Sequence, residues 1–131
     1  MNHKKILVID DDPDIRAFNM AVVEENGYIP LSASNGEEGF AIIQKEKPDL
    51  VILDVLMPLQ SGIRLYYKLK TDDALKDIPV IILSGISKKC FLASEDVLSE
   101  FSGKKIPEPA IYLEKPVEPK TLANAIKNIL T

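Results

Sequence analysis

The sequence predicts an α/β domain, a doubly wound parallel five-stranded sheet with helices on both faces. Three observations predict it. Five short runs rich in Val, Ile and Leu recur along 131 residues, and a helical pattern follows each of them. Three of the runs are apolar throughout rather than alternating, as expected for strands buried on both faces of a parallel sheet.

The first run, residues 6–9, leads into an acidic triplet. Pro13 then stands at a first helical position, which tolerates proline, with Asp12 as the N-cap. Ile15, Phe18 and Val22 mark one face of this helix, and Gly27 ends it. The second run, residues 28–31, contains Pro30, which cannot donate to a ladder and suits an edge strand. A second helix over 37–46 carries Phe40 and Ile43, and Pro48 stops it. Residues 50–53 form the third strand. A helix starting after Ser61-Gly62 runs to Lys70, with Tyr66 and Tyr67 read as packing. The fourth strand is 80–83. The fourth helix, 88–101, carries Phe91, Leu98 and Phe101, with Gly103 beyond its end. After a Pro- and Lys-containing segment at 103–109 comes the fifth strand, 111–113. The last helix, 119–130, places Leu122, Ala125, Ile126, Ile129 and Leu130 at i, i+3, i+4, i+7 and i+8. Nothing marks a linker or a repeat, so one domain over residues 1–131 is expected, with no effector domain in this chain.

Composition narrows the function. The chain is 46% hydrophobic and 27% charged, which is globular, and 20 acidic residues against 16 basic ones leave a net charge of −4. That balance argues against direct nucleic-acid binding. No apolar run approaches the roughly eighteen residues that span a bilayer. Cys90 is the single cysteine and cannot close an intrachain disulfide, which suits a reducing compartment. His3 to Lys5 lead into a short apolar run and then aspartates, unlike a signal peptide. A cytoplasmic protein is expected.

In an open α/β sheet, ligands bind beyond the carboxyl ends of the strands, where strand order reverses. The informative residues therefore follow the apolar runs: Asp10, Asp11 and Asp12 after the first, Asp54 after the third, Ser84 after the fourth, Lys115 after the fifth. With order 2-1-3-4-5 the ends of strands 1 and 3 are neighbours. Asp10, Asp11 and Asp54 then meet, with Ser84 and Lys115 alongside. Three carboxylates in one pocket call for a hard divalent cation, and Mg²⁺ takes one or two carboxylates plus phosphate oxygens. A carboxylate can act as a nucleophile toward phosphorus, and cation, lysine and hydroxyl neutralise a phosphoryl group in transfer. Asp12 is explained by capping alone. Asp54 is not, because Val55-Leu56-Met57-Pro58 follows it and no helix begins there.

Ile6-Leu7-Val8-Ile9-Asp10-Asp11-Asp12, Leu53-Asp54-Val55-Leu56-Met57-Pro58, Ile82-Leu83-Ser84-Gly85 and Tyr112-Leu113-Glu114-Lys115-Pro116 together resemble the receiver domain of two-component response regulators. The resemblance covers the whole chain. It implies a flavodoxin-like (βα)5 fold and a phosphoryl group accepted on Asp54 from a sensor histidine kinase or a histidine phosphotransfer protein. It further implies Mg²⁺ held by Asp10, Asp11, Asp54 and the backbone carbonyl of Leu56. Ser84 and Lys115 would contact the phosphoryl oxygens, and Ser84 and Tyr112 would act as the switch. The face of helix 4, strand 5 and helix 5 would then meet a downstream protein, or a second copy in a homodimer. Such a protein catalyses only its own phosphorylation and dephosphorylation and is no enzyme in the usual sense.

Some positions depart from the family pattern. Lys115 lies 31 residues after Ser84, a long interval for a receiver, and the extra length falls between Lys88 and Pro109. Gly85 stands where alanine is common. Leu56 and Ile86 are apolar at rim positions that influence phosphoryl lifetime. Two rival readings remain. A Mg²⁺-dependent phosphohydrolase using Asp54 needs a second aspartate two residues on, where Leu56 stands. A phosphorylation-independent interaction module would leave the complete acceptor set unexplained. His3, the only histidine, precedes the first strand rather than sitting on a helix, so the chain receives a phosphoryl group and carries no donor.

Overall fold

Side chains of a strand point alternately to the two faces of its sheet, and in this chain both alternating sets are apolar. In the computed structural model, residues 4–55, 61–102 and 107–131 are described, with side chains left aside at 61–63, 94 and 97–102. The strands are β1 (Lys5–Ile9), β2 (Ile29–Ala33), β3 (Leu50–Val55), β4 (Val80–Ser84) and β5 (Ile111–Glu114). Between and after them run α1 (Pro13–Glu25), α2 (Gly36–Glu46), α3 (Ser61–Lys70), α4 (Lys88–Ser102) and α5 (Pro119–Leu130). All strand pairs are parallel, and the order is β2-β1-β3-β4-β5. This is the doubly wound α/β fold that the alternation predicts.

One face of the sheet, with Leu7, Ile9, Val51, Leu53, Val80 and Ile82, packs with Ile43, Leu65, Tyr66, Leu69 and Phe91 from α2, α3 and α4. The other, with Ile6, Val8, Leu50, Ile52, Ile81 and Leu83, packs with Val22, Val23, Leu122 and Ile126 from α1 and α5. Most of these side chains are fully buried, and each contributes on the order of 1.5–3 kcal/mol of transfer free energy.

Local signals set the element ends. Asp12 caps α1, its Oδ1 accepting from the N–H groups of Asp14 (2.9 Å) and Ile15 (3.2 Å), and Pro13 takes the first turn. Gly27 follows that helix at φ +87°, a left-handed conformation that favours glycine. Asn35 caps α2 through the Glu38 N–H at 2.8 Å. On α2, a Cβ placed at Gly39 would stand 2.6 Å from Ile9 Cδ1, so the absent side chain lets the helix approach β1.

Two expectations are corrected. The α1 face marked by Ile15, Phe18 and Val22 is buried only at Val22. Ile15 and Phe18 are 37% and 49% exposed, whereas Asn19, Val22 and Val23 are buried. The inward stripe is rotated by about one residue, because Val23 packs with the α5 side of the core. The second strand begins at Ile29 and reaches Ala33; Tyr28 precedes it, buried without belonging to the ladder. Pro30 does lie in an edge strand. His3 and Gly103 fall outside the described residues. No helix among the described residues is long and apolar enough to cross a membrane.

Candidate phosphoryl-acceptor and metal site

β1 and β3 pair Ile9 with Leu53, so the residues that continue them, Asp10 and Asp54, emerge side by side at the carboxyl edge. The ligand oxygens of Asp10, Asp11 and Asp54 lie within 4.8 Å of one another. Asp10 is buried and Asp11 exposed. Asp54 lies inside β3, and Ser84 is the last residue of β4, so both sit within the ends of their strands rather than after them.

Each group is held by the backbone around it. Asp10 donates its N–H to the Ala33 carbonyl at 3.1 Å. Its Oδ1 accepts from the Asp12 N–H at 2.9 Å. Arg16, which sequence reading passed over, donates Nη1 to the Asp10 carbonyl at 2.7 Å and braces the acidic turn. Lys115 reaches Asp54 Oδ1 at 2.5 Å, with the Asp54 side chain only 3% exposed. The Lys115 N–H is donated to the Ser84 carbonyl at 2.7 Å, and the Lys115–Pro116 peptide is cis. The sheet edge thus fixes Lys115, Ser84 and the Asp54 carboxylate in one frame.

Burial is the main force on the acids. It pushes Asp54 up to about 6, with the Lys115 hydrogen bond opposing and the charge of Asp10 adding to the rise. Asp10 is also raised, first by burial and against the pull of the Asp12 N–H and Lys115. Asp10 Oδ2 is buried and has no hydrogen-bond partner. Two buried carboxylates beside a third, one with an orphaned oxygen, form an oxygen-donor set suited to a hard divalent cation. The residues present therefore fit Mg²⁺. The Leu56 carbonyl, the fourth ligand that the resemblance implies, lies outside the described residues.

The expected switch pair is also adjacent. Ser84 is fully buried; its Oγ donates to the Val55 carbonyl at 2.5 Å and accepts the Ile86 N–H at 2.9 Å. Tyr112 donates its hydroxyl to the Ile86 carbonyl at 2.8 Å and tilts against Phe91, centroids 5.5 Å apart. Both residues thus grip the same β4–α4 turn. A Cβ at Gly85 in that turn would meet nothing within 4 Å, so the departure from alanine leaves open space. Lys88 pairs with Glu108 at 2.9 Å on the surface, and its N–H reaches Glu114 Oε1 at 3.3 Å.

Two residues outside the expected set stand out. Asn19 is buried on α1 and lines a cavity of about 450 Å³ with Ile15, Phe18, Leu83, Lys115, Pro116 and Val117. Glu95 on α4 is 2% exposed, and neither of its carboxylate oxygens has a hydrogen-bond partner. A helical wheel held the signal for Glu95, four residues after Phe91 and three before Leu98 on the stripe expected to face inward.

Comparison with known proteins places the geometry in context. Residues 6–127 match the family model described as response regulator receiver domain. The chain is 35% identical over 127 residues to the phosphate regulon transcriptional regulatory protein PhoB of Pseudomonas aeruginosa, covering 97% of this chain and 52% of that protein. It thus spans about half the length of that relative. Protein PilH of the same organism is 32% identical, with 96% of this chain and 97% of PilH covered. Among solved structures, a putative response regulator from Chloroflexus aurantiacus superposes with a TM-score of 0.79 at 28% identity, covering 98% of both chains.

Proposed function

The chain belongs to the response regulator receiver domain family, and from that membership we propose that Asp54 is its phosphoacceptor, in a Mg²⁺-assisted transfer from a phosphohistidine donor. In this family, phosphorylation-dependent switching is the norm. The observation that carries the assignment to Asp54 is its ion pair with Lys115 at 2.5 Å inside a half-buried acidic cluster.

At neutral pH Asp54 is ionised, since its titration near 6 lies below pH 7. Lys115 holds one oxygen and thereby orients the other for in-line attack. The Asp54 oxygen–phosphorus bond forms while the donor's nitrogen–phosphorus bond breaks, and the bonding pair returns to the departing imidazole. Asp10, Asp11 and Asp54 would hold Mg²⁺, which neutralises charge on the phosphoryl oxygens when bound. Lys115 then faces a dianion in place of a carboxylate. The Ser84 hydroxyl, now donated to Val55, gains a stronger acceptor, and Tyr112 shares its turn through Ile86. That linkage passes the change from the pocket to α4 and β5, the surface proposed for a downstream protein partner.

The donor must bring its imidazole over the pocket mouth, so its surface has to rest on the rim. The exposed Ile15 and Phe18 beside Lys115 and Pro116 supply an apolar rim for a sensor kinase or phosphotransfer protein. A cytoplasmic setting suits the single cysteine, Cys90, which is exposed. We assign the chain no turnover of a small-molecule substrate and read residues 1–131 as one receiver domain.

Incubation with Mg²⁺ and acetyl phosphate, followed by intact mass, tests the assignment. The expected result is a Mg²⁺-dependent gain of one phosphoryl group that Asp54→Asn abolishes. An adduct of equal yield in Asp54→Asn would overturn it, as would no adduct in the wild-type chain.

A further inference from the structure

Glu95 has no part in the phosphoryl chemistry, yet it is buried as deeply as the acceptor. It lies in the middle of α4, 2% exposed, with both oxygens unpartnered. An isolated carboxylate without hydrogen bonds is stable in such a place only in its neutral form.

The charged and titratable groups around it do not supply a counter-ion among the described residues. On its own helix Asp96 adds repulsion. From α3, Tyr66 is near enough for the Glu95 charge to hinder its ionisation, but the Tyr66 hydroxyl is donated to the Pro107 carbonyl at 2.7 Å. Lys70, 5.8 Å from the Tyr66 ring centroid, gives its ammonium protons to the carbonyls of Lys76 and Ile78. From the segment before β5, Glu108 is paired with Lys88. Burial therefore dominates and pushes Glu95 up to about 8.

The position also connects to the switch. Tyr66 packs edge-on against Phe91 at 5.4 Å, and Phe91 tilts against Tyr112 at 5.5 Å. Glu95 is one helical turn beyond Phe91. Any shift of Tyr112 that moves Phe91 moves the turn that carries Glu95.

We propose that Glu95 makes the seating of α4 on the sheet proton-linked: the helix docks with Glu95 neutral, and lifting it releases one proton from the carboxyl group to water. This goes beyond the phosphoacceptor reading and holds for the unphosphorylated chain. Acid favours the docked helix. Alkali favours the lifted one, because a solvated glutamate is ionised throughout the neutral range.

Amide hydrogen exchange of residues 88–96 in the full unphosphorylated chain tests this, corrected for intrinsic rates, together with the carbon-13 titration of the Glu95 carboxyl. The docked-to-lifted ratio is expected to fall roughly tenfold per pH unit between pH 5.5 and 7.5. In Glu95→Gln it is expected to be flat. Glu95→Met, which is also neutral and of similar length, gives the same flat profile should the amide disturb packing. A wild-type profile as flat as the variants' would overturn the proposal. So would a Glu95 carboxyl titrating in the ordinary range near 4–5. Neither readout depends on Asp54, so failure here leaves the acceptor assignment standing, and the acetyl phosphate result leaves this one standing.

Discussion

Asp54 and Glu95 are both carboxylates held out of water, and their surroundings differ in kind. Around Asp54 the ends of four strands converge, bringing a lysine, two more carboxylates and a serine to one point. Around Glu95 there are the Tyr66 ring, an acidic neighbour and, among the described residues, no counter-ion. Burial alone raises both groups. What separates the candidate acceptor site from a lone buried acid is the convergence of partners that act on the charged form.

Removing the partner from the first site has the largest expected effect. Lys115→Met leaves Asp54 without its cation, so its titration climbs further and less of it is ionised at pH 7. Phosphorylation by acetyl phosphate is expected to slow on the order of 10²-fold, typical for loss of one charge-stabilising group. Stopped-flow or timed intact-mass measurements read this directly; a change within threefold would mean that Lys115 is ornamental to the transfer.

The next prediction sharpens the contrast through pH. A buried acid raised above its ordinary value binds its proton more tightly when folded, so stability falls as pH climbs from the ordinary value to the raised one. For Asp54 that window runs from about 4 to about 6. Asp54→Asn is expected to stabilise the metal-free chain at pH 7 by about 1–3 kcal/mol, the upper figure being two units at 1.36 each. Urea titrations with and without Mg²⁺ check it. Added Mg²⁺ should stabilise the wild-type chain and do little for the variant.

For Glu95 the window extends from the ordinary range to about 8, and Mg²⁺ should leave it untouched. Glu95→Gln is expected to raise stability at pH 8 by about 1–2 kcal/mol, while phosphorylation yield stays within twofold. A large loss of phosphorylation in this variant would erase the distinction between the two sites. The smallest effect is at Gly85, where a methyl group finds open space. Gly85→Ala is expected to add about 0.4–1 kcal/mol by limiting the unfolded chain, measurable as a modest rise in melting temperature.

The sheet and the candidate site were legible because both depend on order along the chain. Apolar runs at residues 6–9, 50–53 and 80–83 have the length and composition of strands buried on both faces, and parallel alternation delivers whatever follows them to one edge. Asp10, Asp54 and Lys115 are brought together by that rule alone. The rotation of α1 was not legible, because Ile15 and Phe18 satisfy helical spacing as well as Val22 and Val23 do. What decides between the stripes is the packing of α1 beside α5, which no local pattern encodes. Glu95 was missed because a glutamate in a helix reads as surface, although its place between Phe91 and Leu98 argued otherwise. Arg16 was missed because it acts on the Asp10 backbone carbonyl, a contact without side-chain complementarity to search for.

The bond from Ser84 to the Val55 carbonyl has a consequence for how quiet the unstimulated protein is. A hydroxyl carries one proton, so Ser84 cannot serve the β3 backbone and an incoming phosphoryl group together. A typical net value of about 1 kcal/mol for such a bond is roughly a fivefold bias. Under the proposed switching role of Ser84, that bias would set a noise floor, the fraction of unphosphorylated molecules that present the proposed partner surface by chance. Substituting Ser84 with a residue that cannot make this bond would raise the background along with weakening the response, and the contrast between the two levels is the quantity a downstream reader has to work with.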